Sequence, residues 1–332
     1  MFRDPFIIAE IGHNHMGDVD ICKKMFAEAK RCGASAVKLQ KRDNKSLFTK
    51  AFYNKPYDNP NSYGATYGEH REALEFGRDE YLELKTYAKA LGIIFFSTPF
   101  DFKSVDFLEE LDMPLYKIAS ADCTNTPLIK YVVETGKPVI VSTGGTSWRE
   151  IDLVEELLND NCAILHCVSS YPTQPEEMNL NIIPMMIERY DLEIGLSDHY
   201  NGICMAEAAY VLGATIIEKH FTLNHSWRGS DHALSLEPQG LESLVNNINR
   251  IKLALGDTEK YVLPSEKAAI SKLGKSIWPK YHIKAGTLLG ECDFDIKSPG
   301  GGLPPYRIYD VEGKVSVNDL STCNPLQEGD YK

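Results

Sequence analysis

Residues 215–221 read TIIEKHF. The run opens on Thr215, Ile216 and Ile217, as a buried strand does, and closes on Glu218, Lys219 and His220. Side chains alternate between the faces of a strand, so Glu218 and His220 share one face and Lys219 points to the other. The same drift from apolar to polar, in the chain direction, recurs in FIIAEIG (6–12), SAVKLQ (35–40), IIFFSTPF (93–100), LYKIAS (115–120), PVIVSTG (138–144), AILHCV (163–168) and EIGLSDH (193–199). Helical patterns separate these runs. One is DICKKMFAEAKRCG (20–33), where Ile21, Met25, Phe26 and Ala29 fall on one face and Gly33 gives a stop. Strand–helix alternation on this scale predicts an α/β fold, a parallel (β/α)8 TIM barrel. A doubly wound open sheet is the competing reading, but no GxGxxG follows the first strand.

The helix LESLVNNINRIKLALGD (241–257) ends the alternation. The expected organisation is a barrel over residues 1–258, a polar linker over 259–272 and a small β-rich module over 273–332. Short runs and Gly/Pro turns such as IKAGTLL, SPGGGLPPY and VEGKVSVNDL mark that last module. A unit of that size is marginal alone and needs something to dock on. One connection is long, NKPYDNPNSYGATYGEHRE (54–72), and reads as a lid over the barrel mouth.

Bulk properties exclude several function classes. The formal net charge of −12 argues against nucleic acid and anionic membrane as partners. No apolar run is long enough for a bilayer span, and the four-residue run Phe6–Ala9 is too short for a signal-peptide core, which leads to the expectation of a cytoplasmic protein. The eight cysteines are scattered without a CxxC pair and read as reduced thiols.

In such a barrel the C-terminal ends of the strands surround the active-site mouth. The polar strand ends Glu10, Lys38, Thr98, Lys117, Ser120, Ser142, His166, Ser197, His199, Glu218 and His220 are therefore expected to converge. His199 and His220 end consecutive strands. They read either as ligands of a divalent metal with open positions or as two hydrogen-bonded polar histidines. Lys38 and Lys117, with hydroxyls nearby, suit a phosphate or carboxylate cradle, and a Schiff-base lysine is the rival use. Glu10 suits general acid–base work. His166 and Tyr171 are expected on the sugar side of the mouth. HNH at 13–15 shapes the mouth; as an HxH pair it would instead suit a metal-dependent barrel hydrolase. His225 and His232 read as surface residues. A non-enzymatic alternative is a sugar- or ice-binding module built on the tail.

The motifs AEIGHNHMG, VKLQ, FFSTPFD, YKIAS, PVIVSTGG, LHCVSSYPT, GLSDH and EKHFT, in this order, resemble the sialic acid (nonulosonic acid) synthase family from residue 6 to about 320. The resemblance implies a (β/α)8 barrel followed by a β-clip module of the antifreeze-like, or SAF, type. It implies condensation of phosphoenolpyruvate with a mannosamine-type aldose, with a non-acetamido acceptor such as mannose as an alternative. It implies a domain-swapped homodimer in which each tail closes the partner's barrel. Carried over by residue, it puts manganese, or magnesium or cobalt, on His199 and His220. Phosphoenolpyruvate falls to Lys38, Thr98, Lys117, Ser120, Ser142 and Ser197, and catalysis to Glu10 and Glu218. Asp231, Tyr171, Ser169 and Gln40 fall on the sugar side. Two positions depart from the family pattern: Ser169 replaces an Asn, and Ser298 replaces the Arg that reads the acetamido carbonyl. Arg307 is the expected substitute.

Overall fold

The structure, a computed structural model, describes residues 2 and 4–332. Eight parallel strands close into a barrel: β1 (Phe6–Gly12), β2 (Ala36–Lys41), β3 (Ile94–Pro99), β4 (Tyr116–Ile118), β5 (Val139–Ser142), β6 (Ala163–Cys167), β7 (Glu193–Asp198) and β8 (Ile216–His220). Each run read as a strand contains the observed one, except that β2 extends one residue further, to Lys41. β8 closes the barrel against β1, pairing Ile8 with Glu218 and Glu10 with His220. The open-sheet alternative is thereby excluded.

Period-two alternation divides the strand residues between two cores. Phe6, Ile8, Ala36, Phe96, Leu115, Ile140, Ala163, Leu165 and Ile216 point inward and fill the floor of the barrel. Their neighbours in sequence, such as Ile7, Ala9, Val37, Ile164 and Ile217, point outward and pack on the surrounding helices. The helix Val19–Arg31 is typical of that layer. Asp18 caps it by accepting from the backbone N–H groups of Asp20 and Ile21, and it buries Cys22, Met25, Phe26 and Ala29. Ile21, expected in that stripe, is only partly buried and Cys22 takes the inner position. Where β7 meets β8, Gly195 has no room for a side chain. A Cβ there would run into the Ile216 carbonyl oxygen and the Leu165 side chain.

Two compact units make up the chain, one ending at Gly256 and the other spanning Asp257–Lys332. The second has its own core of Ile277, Ile283, Leu289, Phe294, Leu303, Ile308, Val311, Leu320 and Leu326. It contains the antiparallel pair β9 (Ser276–Pro279) and β10 (Phe294–Lys297). The stretch 259–272 is not wholly irregular: a short helix, Lys267–Leu273, begins within it. Among the described residues no helix is long and apolar enough to cross a membrane.

Candidate active site

Each inward row starts in the apolar floor and ends in a polar group. The row is Phe6, Ile8, Glu10 on β1, Ala36, Lys38, Gln40 on β2, and Ile216, Glu218, His220 on β8. These ends line a cavity of about 580 Å³, the size of a small-molecule site. Thr98, Lys117, Ser120, Ser142, Ser197 and His199 line it too, together with Ser169, Tyr171 and Asp231.

The buried charges in the cavity are paired. Lys38 Nζ lies 2.8 Å from Glu10 Oε2 and donates to Thr98 Oγ1 at 2.8 Å. Lys117 Nζ donates to Ser142 Oγ at 2.5 Å and to the Ile118 carbonyl at 2.9 Å. Glu218 Oε1 stands between the lysines, 4.0 Å from each, and accepts from Ser197 Oγ at 3.3 Å. Both carboxylates are buried, yet their surroundings drive them apart. Burial pushes Glu10 up; Lys38 opposes this without cancelling it, and Glu218 adds to it. Burial also works upward on Glu218, but Lys117 and Lys38, with His220 and His199, outweigh it and hold Glu218 below its ordinary value. Burial lowers Lys117. Two carboxyl groups separated in this way suit a proton donor, Glu10, and a proton acceptor, Glu218.

The imidazoles of His199 and His220 lie 5.5 Å apart between ring centres, with the Tyr171 ring 4.1 Å from that of His199. His199 Nδ1 meets the Val168 carbonyl at 2.8 Å. That bond fixes Nδ1 as the protonated nitrogen and leaves Nε2 with its lone pair. Burial pushes His199 down to about 4 and lowers His220 as well, so both are neutral near pH 7. The alternative of two hydrogen-bonded polar histidines is met at His199, through Val168, and not at His220 Nδ1. Buried His220 Nδ1 and Glu218 Oε2 have no hydrogen-bond partner. Two neutral imidazoles, one with an orphaned buried nitrogen, suit a divalent metal held by two protein ligands with its other positions open.

Lys219 faces away, as its parity requires. It lies 3.0 Å from Asp198 Oδ2 and donates to the Tyr200 carbonyl at 2.5 Å, behind the sheet. Two expectations need correction, and one rival reading loses its support. His166 does not reach the mouth. It sits on the outward row of β6, with Nε2 2.7 Å from the Met178 carbonyl, because Leu165 and Cys167 take the inward positions. His232 is not a surface residue: it is buried, with Nδ1 2.7 Å from Thr222 Oγ1. His13 and His15 do not form an HxH pair: His15 stacks on Phe76 at 4.1 Å, and His13 lies between Arg42 and Arg71. Among the described residues no group of three or more His, Cys, Asp or Glu is arranged to hold a metal, so the hydrolase reading lacks its ligand set and a metal on His199 and His220 would draw its other ligands from substrate and water. Arg307 belongs to the second unit, where Glu328, Asp310 and the Tyr331 hydroxyl hold its guanidinium.

Sequence reasoning missed Arg42, Arg71 and the turn Gly144–Thr146, all of which line the cavity. Gly144 donates its N–H to Ser120 Oγ at 3.0 Å, and a Cβ there would strike Ser120 and Ser169. Arg42 was legible, because it continues the inward period-two row Lys38, Gln40 beyond the end of β2.

Residues 25–260 match the NeuB family. The N-acetylneuraminate-9-phosphate synthase of Mus musculus is 41% identical over 328 residues, covering 97% of this chain and 91% of the mouse protein. The N,N'-diacetyllegionaminic acid synthase of Campylobacter jejuni is 36% identical over 336 residues, covering 98% of this chain and 100% of its own. Among solved structures, the N-acetylneuraminic acid (sialic acid) synthetase of Leptospira borgpetersenii, in complex with citrate, is similar with a TM-score of 0.71 at 34% identity. The likeness covers 81% of this chain and 90% of that one.

Proposed function

The chain belongs to the NeuB family, and from that premise we propose how its barrel works as a synthase of the sialic acid type. The reaction joins phosphoenolpyruvate to an aldose, giving a nonulosonic acid and phosphate. One observation carries the residue assignment: the inward rows bring two lysines, two carboxyl groups of opposed proton affinity and two neutral imidazoles into one cavity.

Lys38 and Lys117, with the hydroxyls of Thr98, Ser120, Ser142 and Ser197, hold the phosphate of phosphoenolpyruvate. His199 and His220 hold the metal, for which manganese is the first choice and magnesium or cobalt the alternatives. When bound, the metal supplies Lewis acidity that polarises the acceptor's aldehyde oxygen. Carbon 3 of phosphoenolpyruvate then bonds to the aldehyde carbon, and protonated Glu10 delivers the proton that turns the aldehyde oxygen into a hydroxyl. Water adds to the cationic carbon 2, Glu218 takes its proton, and phosphate leaves by C–O cleavage. Gln40, Ser169, Tyr171 and Asp231 orient the sugar. Gln40 already donates to Glu10 Oε1 at 2.7 Å, which ties sugar position to the proton donor.

The acceptor is open on two counts. The relatives' names divide on whether the product carries a phosphate. Ser298 accepts from Lys275 Nζ at 2.6 Å and offers no guanidinium. Arg307 would have to leave three partners to read an acetamido group. An acceptor without that group, such as mannose, is the alternative this supports. We assign the second unit to the SAF type, completing the barrel of a second copy in a homodimer; its separate core supports a distinct module. Purified protein given manganese, phosphoenolpyruvate and a panel of mannosamine, mannose and diacetamido-hexose acceptors should release phosphate with at least one of them. Silence across the panel overturns the reading.

A further inference from the structure

Resting on the synthase reading, we propose that Arg42 and Arg71 form a second anion subsite at the mouth of the cavity, for a phosphate carried by the acceptor at the end remote from its aldehyde. Both residues line the same cavity as the lysine cradle. They are not part of that cradle. Arg42 lies four residues beyond Lys38 on the same inward row, about 13 Å further toward the mouth at strand rise.

Both guanidinium groups are held in place before any ligand arrives. Arg42 lies flat on the Phe100 ring at 3.7 Å and donates to Gln40 Oε1 at 2.7 Å. Arg71, from the helix Tyr67–Glu72, donates through Nε and Nη2 to the Tyr67 hydroxyl at 3.1 and 2.9 Å. From these anchors they converge on His13, with Arg42 Nη1 3.2 Å from Nε2 and Arg71 Nη1 3.3 Å from Nδ1. Burial and the two arginine charges keep His13 well below its ordinary value, hence neutral. A neutral imidazole has one lone pair, so it can accept from only one of the two arginines. The other buried donor faces an N–H.

The charge count points the same way. Glu75 is shared: its Oε2 lies 3.2 Å from Lys41, and its Oε1 lies 3.5 Å from His13 Nε2 and 3.9 Å from Arg42 Nη1. Among the described residues no carboxylate lies within ion-pair distance of Arg71. A chain with a net charge of −12 thus places two guanidinium groups at one mouth with one carboxylate, Glu75, within ion-pair distance of either. A phosphate accepts from both forks and removes the donor–donor conflict at His13. Asp231, assigned above to the sugar side, lines the same cavity and feels the charge of Arg71, which puts this subsite beside the sugar rather than beside phosphoenolpyruvate.

The test compares mannose with mannose 6-phosphate, and N-acetylmannosamine with its 6-phosphate, in the full chain with manganese and phosphoenolpyruvate. In at least one pair kcat/KM should favour the phosphorylated acceptor by tenfold or more, and its KM should rise with ionic strength. Arg71→Met and Arg42→Met should each cut that preference about tenfold. Arg71 is the less buried of the two, so its variant reads the subsite even where loss of Arg42 harms folding. No preference, or one that survives both substitutions, overturns the subsite while leaving the synthase reading intact. A chain that turns over no acceptor overturns the synthase reading instead, and calorimetry with phosphoenolpyruvate present then decides the subsite. Mannose 6-phosphate should bind at least tenfold more tightly than mannose or inorganic phosphate, and Arg71→Met should abolish the difference. Equal affinities overturn the proposal.

Discussion

Glu10 and Glu218 are the same kind of group at nearly the same depth, and their neighbours make them opposites. Glu10 is raised, so a step that needs it protonated fails as pH climbs through its raised value. Glu218 is lowered, so a step that needs it ionised fails as pH drops through its lowered value. The expected kcat/KM profile is a bell whose acid limb belongs to Glu218 and whose alkaline limb belongs to Glu10. Lys117 is the largest charge holding Glu218 down. Lys117→Met should therefore move the acid limb to higher pH, on top of weakening phosphoenolpyruvate binding. An acid limb that stays put assigns that limb to another group. At this scale the sequence was readable wherever parity was clean. The order of Glu218, Lys219 and His220 gave all three directions. It failed at His166 and Cys167, where a polar imidazole lies outside and a thiol inside, so polarity and parity disagree. Arg71 was hidden for a different reason. It enters from a helix after a long connection, and no period links it to a strand.

At the scale of elements the barrel was legible because eight strands repeat one gradient, apolar at the start and polar at the end. The physical origin is the filled floor: inward positions low in the barrel have only each other to pack against, and those at the top face the cavity. The strand ends were less legible, since a strand of three residues, β4, carries too little alternation to mark its limits. Gly195 shows how tightly the floor is filled. Gly195→Ala should destabilise the barrel by about 1–3 kcal/mol, read as a lower midpoint in denaturant with an unaltered slope. An unshifted midpoint would mean that β7 and β8 can part without loss. The long connection 54–72 was expected as a lid. It is a packed element, tied to the loop after β8 by Tyr63 donating to the Arg228 carbonyl at 2.7 Å. It also delivers Arg71 to the cavity.

For the whole molecule, the groups proposed for catalysis all lie before Gly256, and the second unit has a core of its own. A chain ending at Gly256 should therefore still unfold cooperatively, yet lose turnover, because the proposed role of the tail is to complete a site rather than to support the barrel. Full turnover by the shortened chain overturns that role. The barrel itself can be compared to a text read in frames of two. Loss of one residue inside β8, before Glu218, would turn Glu218 and His220 out to the helices and aim Lys219 into the cavity. A change of the same length in a loop leaves every frame intact. Strand lengths in this protein are consequently unfit for gradual variation, whereas its connections can lengthen or shrink one residue at a time wherever they carry no cavity residue such as Arg71, Tyr171 or Asp231.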